Sequence, residues 1–282
     1  MHARRSAARS RITLAHLVMA AATGGLLMLS AGAACADEDI WPSLKSDIFE
    51  TRPLIENDGV VQIDAPYRAE DAAVVPITIR VSPEVKGQLK SMTLIIDKNP
   101  SPVAAAFTFG PGAGKGGAER RMTTRVRIDT YSNVRAVVET EDGKLHMAKA
   151  FVKASGGCSA PAPKDADNDL AGLGKTIVKS IDPAPPQTAL REGIVMIRHP
   201  NNNGMQMDQV TRSYIPARFI REITVMRGKD LVFRAETGIS ISTNPHFRFT
   251  YINAPDSSLD VAAIDTDDTR FTGHSAKKTA SQ

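Results

Sequence analysis

From Ala73 to Lys153 the sequence is a succession of short runs, VVPITIRV, SMTLIID, VAAAFTFG, TTRVRIDT, NVRAVVET and LHMAKAFVKA. They are rich in β-branched residues, and several alternate apolar with polar. Alternation at period two sends every second side chain to one face, so each run reads as a strand with a face to bury. TEDGK places the Asp-Gly of a tight hairpin between the last two runs. The same texture returns in GIVMIRHP, FIREITVMRG, DLVFRAET, HFRFTYIN and LDVAAID. The expected fold class is all-β, with two β-sandwiches in one chain.

Between the two halves, from about Ser155 to about Arg191, the composition changes. GGCSAPAPKDADND has no apolar pattern and reads as a flexible connection. LAGLGKTIVKSI is expected to form a short helix, and DPAPPQ returns to extended, proline-rich chain. The organisation expected is a signal over 1–36, a first β-sandwich over 37–154, a Gly/Pro-rich arm and linker over 155–191, a second β-sandwich over 192–270 and a polar tail over 271–282.

The N-terminus decides the compartment. MHARRSAARSRIT is basic without acids, LAHLVMAAATGGLLMLSAGA is apolar apart from His16, and ACA before Asp37 offers the small residues that a signal peptidase prefers. The expectation is export through a cleaved signal, a periplasmic location and no membrane segment in the mature protein. Both the general and the twin-arginine export routes stay open, since Arg4-Arg5 is present but Ser6-Ala7-Ala8 lacks the usual apolar followers.

Cleavage changes the charge balance. The chain has 35 Lys+Arg against 31 Asp+Glu, and the signal holds four of the arginines and no acid, which leaves 31 against 31. A nucleic-acid partner needs a basic footprint, so none is expected. Cys35 leaves with the signal and Cys158 remains alone. A lone cysteine in an oxidising compartment is buried and inert, paired with another molecule, or reactive.

Cys158 follows Gly156 and Gly157, precedes SAPAP, and has no apolar neighbours to pack it. The expectation is an exposed, reactive thiol on a mobile arm, with Lys149 and Lys153 favouring the thiolate. The glycines clear the space around the sulfur. A disulfide to another chain through the same sulfur is the second option.

Taken together, the short motifs resemble a known family. EDAAVVPITI (Glu70–Ile79), IDKNPSPVAAAF (Ile96–Phe107), TRVRI (Thr124–Ile128) and FVKASGGC (Phe151–Cys158) are similar to the sulfur-carrier subunit SoxY. IRHPNNNG (Ile197–Gly204), YIPARFIREITV (Tyr214–Val225) and GISISTNPHFRF (Gly238–Phe249) are similar to its partner SoxZ. Their order along one chain resembles the fused SoxYZ-like carriers associated with quinoprotein dehydrogenases. The resemblance implies two immunoglobulin-like β-sandwich domains joined by a flexible cysteine-bearing linker. It also implies a carrier without turnover of its own. Cys158 is then the covalent attachment point for a sulfur species, Gly156 and Gly157 the hinge of the arm, and periplasmic sulfur-oxidation or quinoprotein dehydrogenase proteins the partners. Two features depart from the SoxY pattern: GGCSAP replaces Gly-Gly-Cys-Gly-Gly, and the cysteine is internal. The alternative from a different class is a non-catalytic docking module for a quinoprotein dehydrogenase, which needs no thiol chemistry.

Other candidate chemistry reads as structural. GPGAGKGG (Gly110–Gly117) has glycines out of phase with a phosphate loop and reads as a hairpin loop. His199 and His246 lack metal-type spacing and read as surface or turn histidines, so no metal or cofactor is expected. No nucleophile elbow is present. Glu70, Asp71 and the DTDD cluster (Asp265–Asp268) read as solvated strand ends rather than paired catalytic acids.

Overall fold

The computed structural model describes residues 39–161, 172–182, 189–254 and 258–275. The first half contains helix α1 (Trp41–Phe49) and strands β1 (Leu54–Glu56), β2 (Val61–Asp64), β3 (Val75–Val81), β4 (Leu89–Ile96), β5 (Val103–Phe109), β6 (Arg120–Val126), β7 (Ser132–Thr140) and β8 (Leu145–Val152). The second half contains β9 (Thr176–Ile181), β10 (Leu190–Ile197), β11 (Ile220–Arg227), β12 (Asp230–Thr237), β13 (His246–Ile252), β14 (Asp260–Asp265) and β15 (Arg270–His274). The chain is all-β apart from α1 and a single 3-10 turn among the described residues.

Alternation in the sequence becomes two-sidedness in the fold. In β3, Val75, Ile77, Ile79 and Val81 are buried while Pro76 is exposed, as a sheet packed on one face requires. The TEDGK turn closes with the Gly143 amide donating to Thr140 O at 2.9 Å.

The two halves are joined through both of their sheets. One nine-stranded sheet runs β1-β8-β7-β4-β5-β12-β11-β14-β15, and a six-stranded sheet runs β2-β3-β6-β13-β10-β9. The seams are antiparallel: β5 pairs with β12 from Phe109↔Phe233 to Ala105↔Thr237, and β6 meets β13 at Met122↔Phe249 and Thr123↔Arg248. Without these seams β5, β6, β12 and β13 would be open edges, which invite pairing with other chains. Side chains cross the seam as well. Phe107 of the first half meets Phe233 edge-on at 5.7 Å and Phe247 at 6.0 Å, and Phe233 meets Phe249 at 4.9 Å. All four rings are buried in one continuous core.

A smaller cluster of Trp41, Phe49, Ile95, Val137, Leu145 and Met147 seats α1 on the nine-stranded sheet. Arg135 lies 4.0 Å from the Trp41 ring centre and forms a buried ion pair with Asp97 at 2.8 Å. The guanidinium is satisfied there by both the π face and the carboxylate.

Two local expectations are corrected. The TIVKSI part of the segment expected to be a helix is strand β9, antiparallel to β10 from Thr176↔Ile197 to Ile181↔Glu192. Its β-branched residues suit a half-buried strand, and β10 offers an edge for it to pair. Residues 270–274, read by composition largely as tail, form β15, whose Phe271 is buried against the core. The N-terminal signal read over residues 1–36 lies outside the described residues, as do residues 162–171 and 183–188 of the connecting segment.

Candidate functional site

Order does not end with β8. The Lys153 amide donates to Tyr67 O at 2.7 Å, and the Lys153 carbonyl accepts from the Ala69 amide at 3.1 Å. The chain therefore continues alongside the segment that precedes β3. The amides of Gly156 and Gly157 then donate to the carbonyls of Asp129 at 2.7 Å and Ile128 at 3.0 Å, just past the end of β6.

The two glycines serve different physical needs. Gly156 holds φ at +77°, which glycine adopts without steric cost. Gly157 is needed for close approach: a Cβ there would lie 2.1 Å from Ala72 O and 2.6 Å from Ile128 O.

These contacts carry Cys158 inward, where 1% of its surface is exposed. The side-chain amide of Asn203, itself buried, donates to Cys158 O at 2.7 Å. The expectation of an exposed thiol on a mobile arm is thus corrected for residues 153–159. Backbone hydrogen bonds and a side chain from the second half hold a segment that has little apolar surface to pack beyond Ala154 and the cysteine itself.

Burial sets the acidity of the thiol. Removal from water, then the nearby Asp129 charge and a hydrogen bond to Asp129, push the Cys158 thiol up to about 12, and the opposing pull of Arg127 does not offset them. The lysines expected to favour the thiolate do not act on it. Lys153 instead holds its ammonium 4.9 Å from the Tyr67 ring centre, and Lys149 lies on the exposed side of β8. In this position the sulfur is a covered, protonated thiol.

The surrounding polar network joins both halves. Arg127 is 2% exposed; its Nη2 donates to Thr243 Oγ1 at 2.8 Å, and Nη1 makes a longer contact of 3.4 Å with Gly157 O. Asn99 Nδ2 donates to Arg127 O and to Ser240 Oγ, both at 2.8 Å, while Asn99 Oδ1 accepts from the Asp129 amide at 2.9 Å. Ser242 Oγ donates to Ala73 O at 2.7 Å. Asp71 caps the turn before β3 by accepting from the Ala73 amide at 2.8 Å. The segments IDKNPSP, TRVRI, EDAAVV, FVKASGGC, NNNG and ISIST therefore meet at one place. Sequence reading quoted those segments but missed Arg127, Asp129, Asn99, Asn203 and Thr243 as partners of the cysteine. No periodicity marks them, because each acts from a strand end or loop.

A second buried cluster explains residues assigned to the surface. His199 and Asp265 are fully buried. His199 Nδ1 accepts from the Asn201 amide at 3.0 Å, which leaves Nε2 to face Asp265 Oδ2 at 3.4 Å. Asp265 also accepts from Arg218 Nε at 3.0 Å and from the Asp267 and Thr269 amides at 2.9 and 2.8 Å. The readings of His199 as a surface or turn residue and of Asp265 as a solvated strand end are corrected. Burial pushes His199 down, against the pull of Asp265, while the Thr269 amide, Arg218 and His199 outweigh burial and hold Asp265 below the ordinary carboxylate value. Both ring nitrogens of His199 are spent, so it has none left to serve Cys158 as a base.

The glycine-rich loop after β5 is committed to the fold. The amides of Gly110, Gly116 and Gly117 donate to Val232 O, Gly87 O and Pro83 O, so they are not free to cradle a phosphate. Among the described residues no group of three or more His, Cys, Asp or Glu is placed to hold a metal. No helix among them is long and apolar enough to cross a membrane.

A search of curated proteins gave no match. Among solved structures the chain is similar to the sulfur carrier protein SoxY from Chlorobium limicola f thiosulfatophilum, at 28% identity over 40% of this chain and 89% of that one, with a TM-score of 0.33. It is also similar to a superoxide reductase (neelaredoxin) from Ignicoccus hospitalis, at 13% identity over 36% of this chain and 93% of that one, with a TM-score of 0.30. Family models match at residues 45–158, as sulfur oxidation protein SoxY, and at residues 184–276, as sulphur oxidation protein SoxZ. The chain is a fused SoxYZ-like protein, with a SoxY domain followed by a SoxZ domain.

Proposed function

We propose that this protein is a periplasmic carrier that holds a sulfur-compound intermediate covalently on Cys158 and performs no turnover itself. One observation carries the reading. The SoxY match ends on residue 158, and side chains of both domains hold its backbone, Asn203 at Cys158 O and Arg127 at Gly157 O, which supports a docked position for the cysteine. Gly156 and Gly157 act as the hinge from which the arm swings out to partner proteins, which supply the redox and hydrolytic chemistry. These partners are periplasmic sulfur-oxidation or quinoprotein dehydrogenase system proteins.

The docked state fits a storage role. A thiol covered and held protonated is a poor nucleophile and a poor target for oxidants. Once the arm leaves the dock, the sulfur loses both the burial and the Asp129 charge that raise its pKa, and thiolate becomes available at neutral pH. Loading is thereby confined to encounters that draw the arm out.

Intact mass of mature protein from the periplasm, isolated without reductant, tests this reading. The expected result is a mass gain removed by reductant and absent in Cys158→Ala. Its size identifies the cargo.

The burial of Cys158 also favours a second reading, a docking module for a quinoprotein dehydrogenase in which the cysteine only packs. That reading holds if the thiol stays unmodified when sulfur donors and loading proteins are supplied, while Cys158→Ala keeps partner binding.

A further inference from the structure

Arg127 poses an electrostatic problem that the carrier reading, on which this inference rests, can solve. Its guanidinium is buried, and among the described residues no carboxylate lies within ion-pair distance of it. The equally buried Arg135 has Asp97 at 2.8 Å, and Arg120 donates to two carbonyls at 2.8 Å. Arg127 has one side-chain hydrogen bond of normal length, to Thr243, and a long contact to Gly157 O; its Nε lacks a partner as that of Arg120 does, so the difference lies in the two terminal nitrogens. A buried cation left this incompletely paired is costly, and the usual remedy is an anion with hydrogen-bond acceptors. The carboxylate whose charge reaches it is Asp71, which already accepts from the Ala73 amide, and the neighbouring Cys158 thiol is neutral while docked.

We propose that Arg127 is the internal counter-charge for an anionic sulfur group carried on Cys158, of the persulfide or S-thiosulfonate class. Such a group has no S–H to donate, so it loses the thiol's hydrogen bond to Asp129 and is repelled by that carboxylate. The guanidinium offers what Asp129 cannot: a positive charge and uncommitted N–H donors. The long Arg127–Gly157 contact is the one the adduct replaces. Because Thr243 anchors the same guanidinium from the SoxZ domain, a loaded arm is tied to both domains and the cargo is shielded.

Tetrathionate loads the cysteine without partner enzymes. The Cys158 thiolate attacks a central sulfur, a new S–S bond forms to give Cys–S–S–SO3⁻, and thiosulfate departs with the electron pair of the bond that breaks. The thiol proton goes to buffer. The experiment compares wild type, Arg127→Lys and Arg127→Met, each loaded to completion by intact mass, in the rate at which reductant strips the adduct and in the Tm change on loading. Release from wild type is expected to be about tenfold slower than from Arg127→Met, the worth of a charge-assisted hydrogen bond, with Arg127→Lys between them. Loading is expected to raise Tm in wild type and not in Arg127→Met, a difference that simple loss of packing does not produce. Equal release rates, faster release from wild type, or equal Tm changes would overturn the proposal. Should Arg127→Met not fold, the Arg127 Nε resonance of wild type decides: it shifts on loading, or the proposal fails. An absence of any adduct on protein from the periplasm would defeat the carrier reading alone, because the tetrathionate comparison does not depend on cellular loading.

Discussion

Asn203 of the SoxZ domain donates its side-chain amide to the backbone carbonyl of Cys158 at 2.7 Å, so a side chain of one domain fixes the cysteine segment of the other. The same Asn203 receives the Met205 amide on its own Oδ1 and donates its backbone amide to Gln206 Oε1. It is therefore a preformed clasp rather than a side chain recruited by the arm.

Removing the clasp should loosen the arm without unfolding the sandwich. Asn203→Ala loses one buried hydrogen bond, worth about 1 kcal/mol, which corresponds to a roughly fivefold rise in the open population. Alkylation of Cys158 by iodoacetamide in the native protein should accelerate by that factor. An unchanged rate would show that the clasp does not limit opening.

Gly156 and Gly157 should separate by mechanism. Gly157→Ala places a Cβ against two carbonyl oxygens that belong to ordered backbone, so the docked arm cannot be kept. Gly156→Ala meets nothing closer than 3.8 Å and bears only the cost of positive φ, about 1–2 kcal/mol. Thiol accessibility should rise in both and further in Gly157→Ala, with the reverse order counting against the dock described above.

The docked thiol makes stability fall at high pH. The Cys158 pKa is raised in the folded state, so its contribution is fully present below the ordinary value of 9.0 and is lost as pH rises toward about 12. Urea titrations of wild type and Cys158→Ala should diverge in slope only on the alkaline side.

His199 works in the other direction. Its pKa is lowered in the folded state, so its contribution is present above the ordinary value of 6.5 and is lost as pH falls through the folded value. Stability should therefore decline from about pH 7 to about pH 5 more steeply in wild type than in His199→Gln, measured by denaturant midpoint. Parallel profiles would mean that His199 is not held neutral.

The seams predict that the two domains unfold together. Phe233 touches Phe107 across the β5–β12 pairing and lies in the shared core. Phe233→Ala should cost about 3–5 kcal/mol and lower a single thermal transition. Two separate transitions, with only the second half affected, would refute this coupling.

Local pattern determined much of this protein. Period-two runs such as DLVFRAET became strands with the expected boundaries, because a strand's two faces are written in neighbouring residues. The order of short SoxY-like and SoxZ-like motifs carried the family, and the cysteine between Gly157 and Ser159 was visible as the candidate attachment point. What the tertiary structure decided lies where distant segments meet. Composition reads SGGCSAP as free chain, since it contains nothing to bury. In the fold, the carbonyls of Ile128 and Asp129, the Asn203 amide and the Arg127 guanidinium bury it all the same. Likewise the halves share both sheets because four strand edges needed partners, a demand that no single strand states. Hydrogen bonds and charges between residues far apart in sequence leave no period to read, so the buried setting of Cys158 and the arginine beside it appear only when the chain is folded.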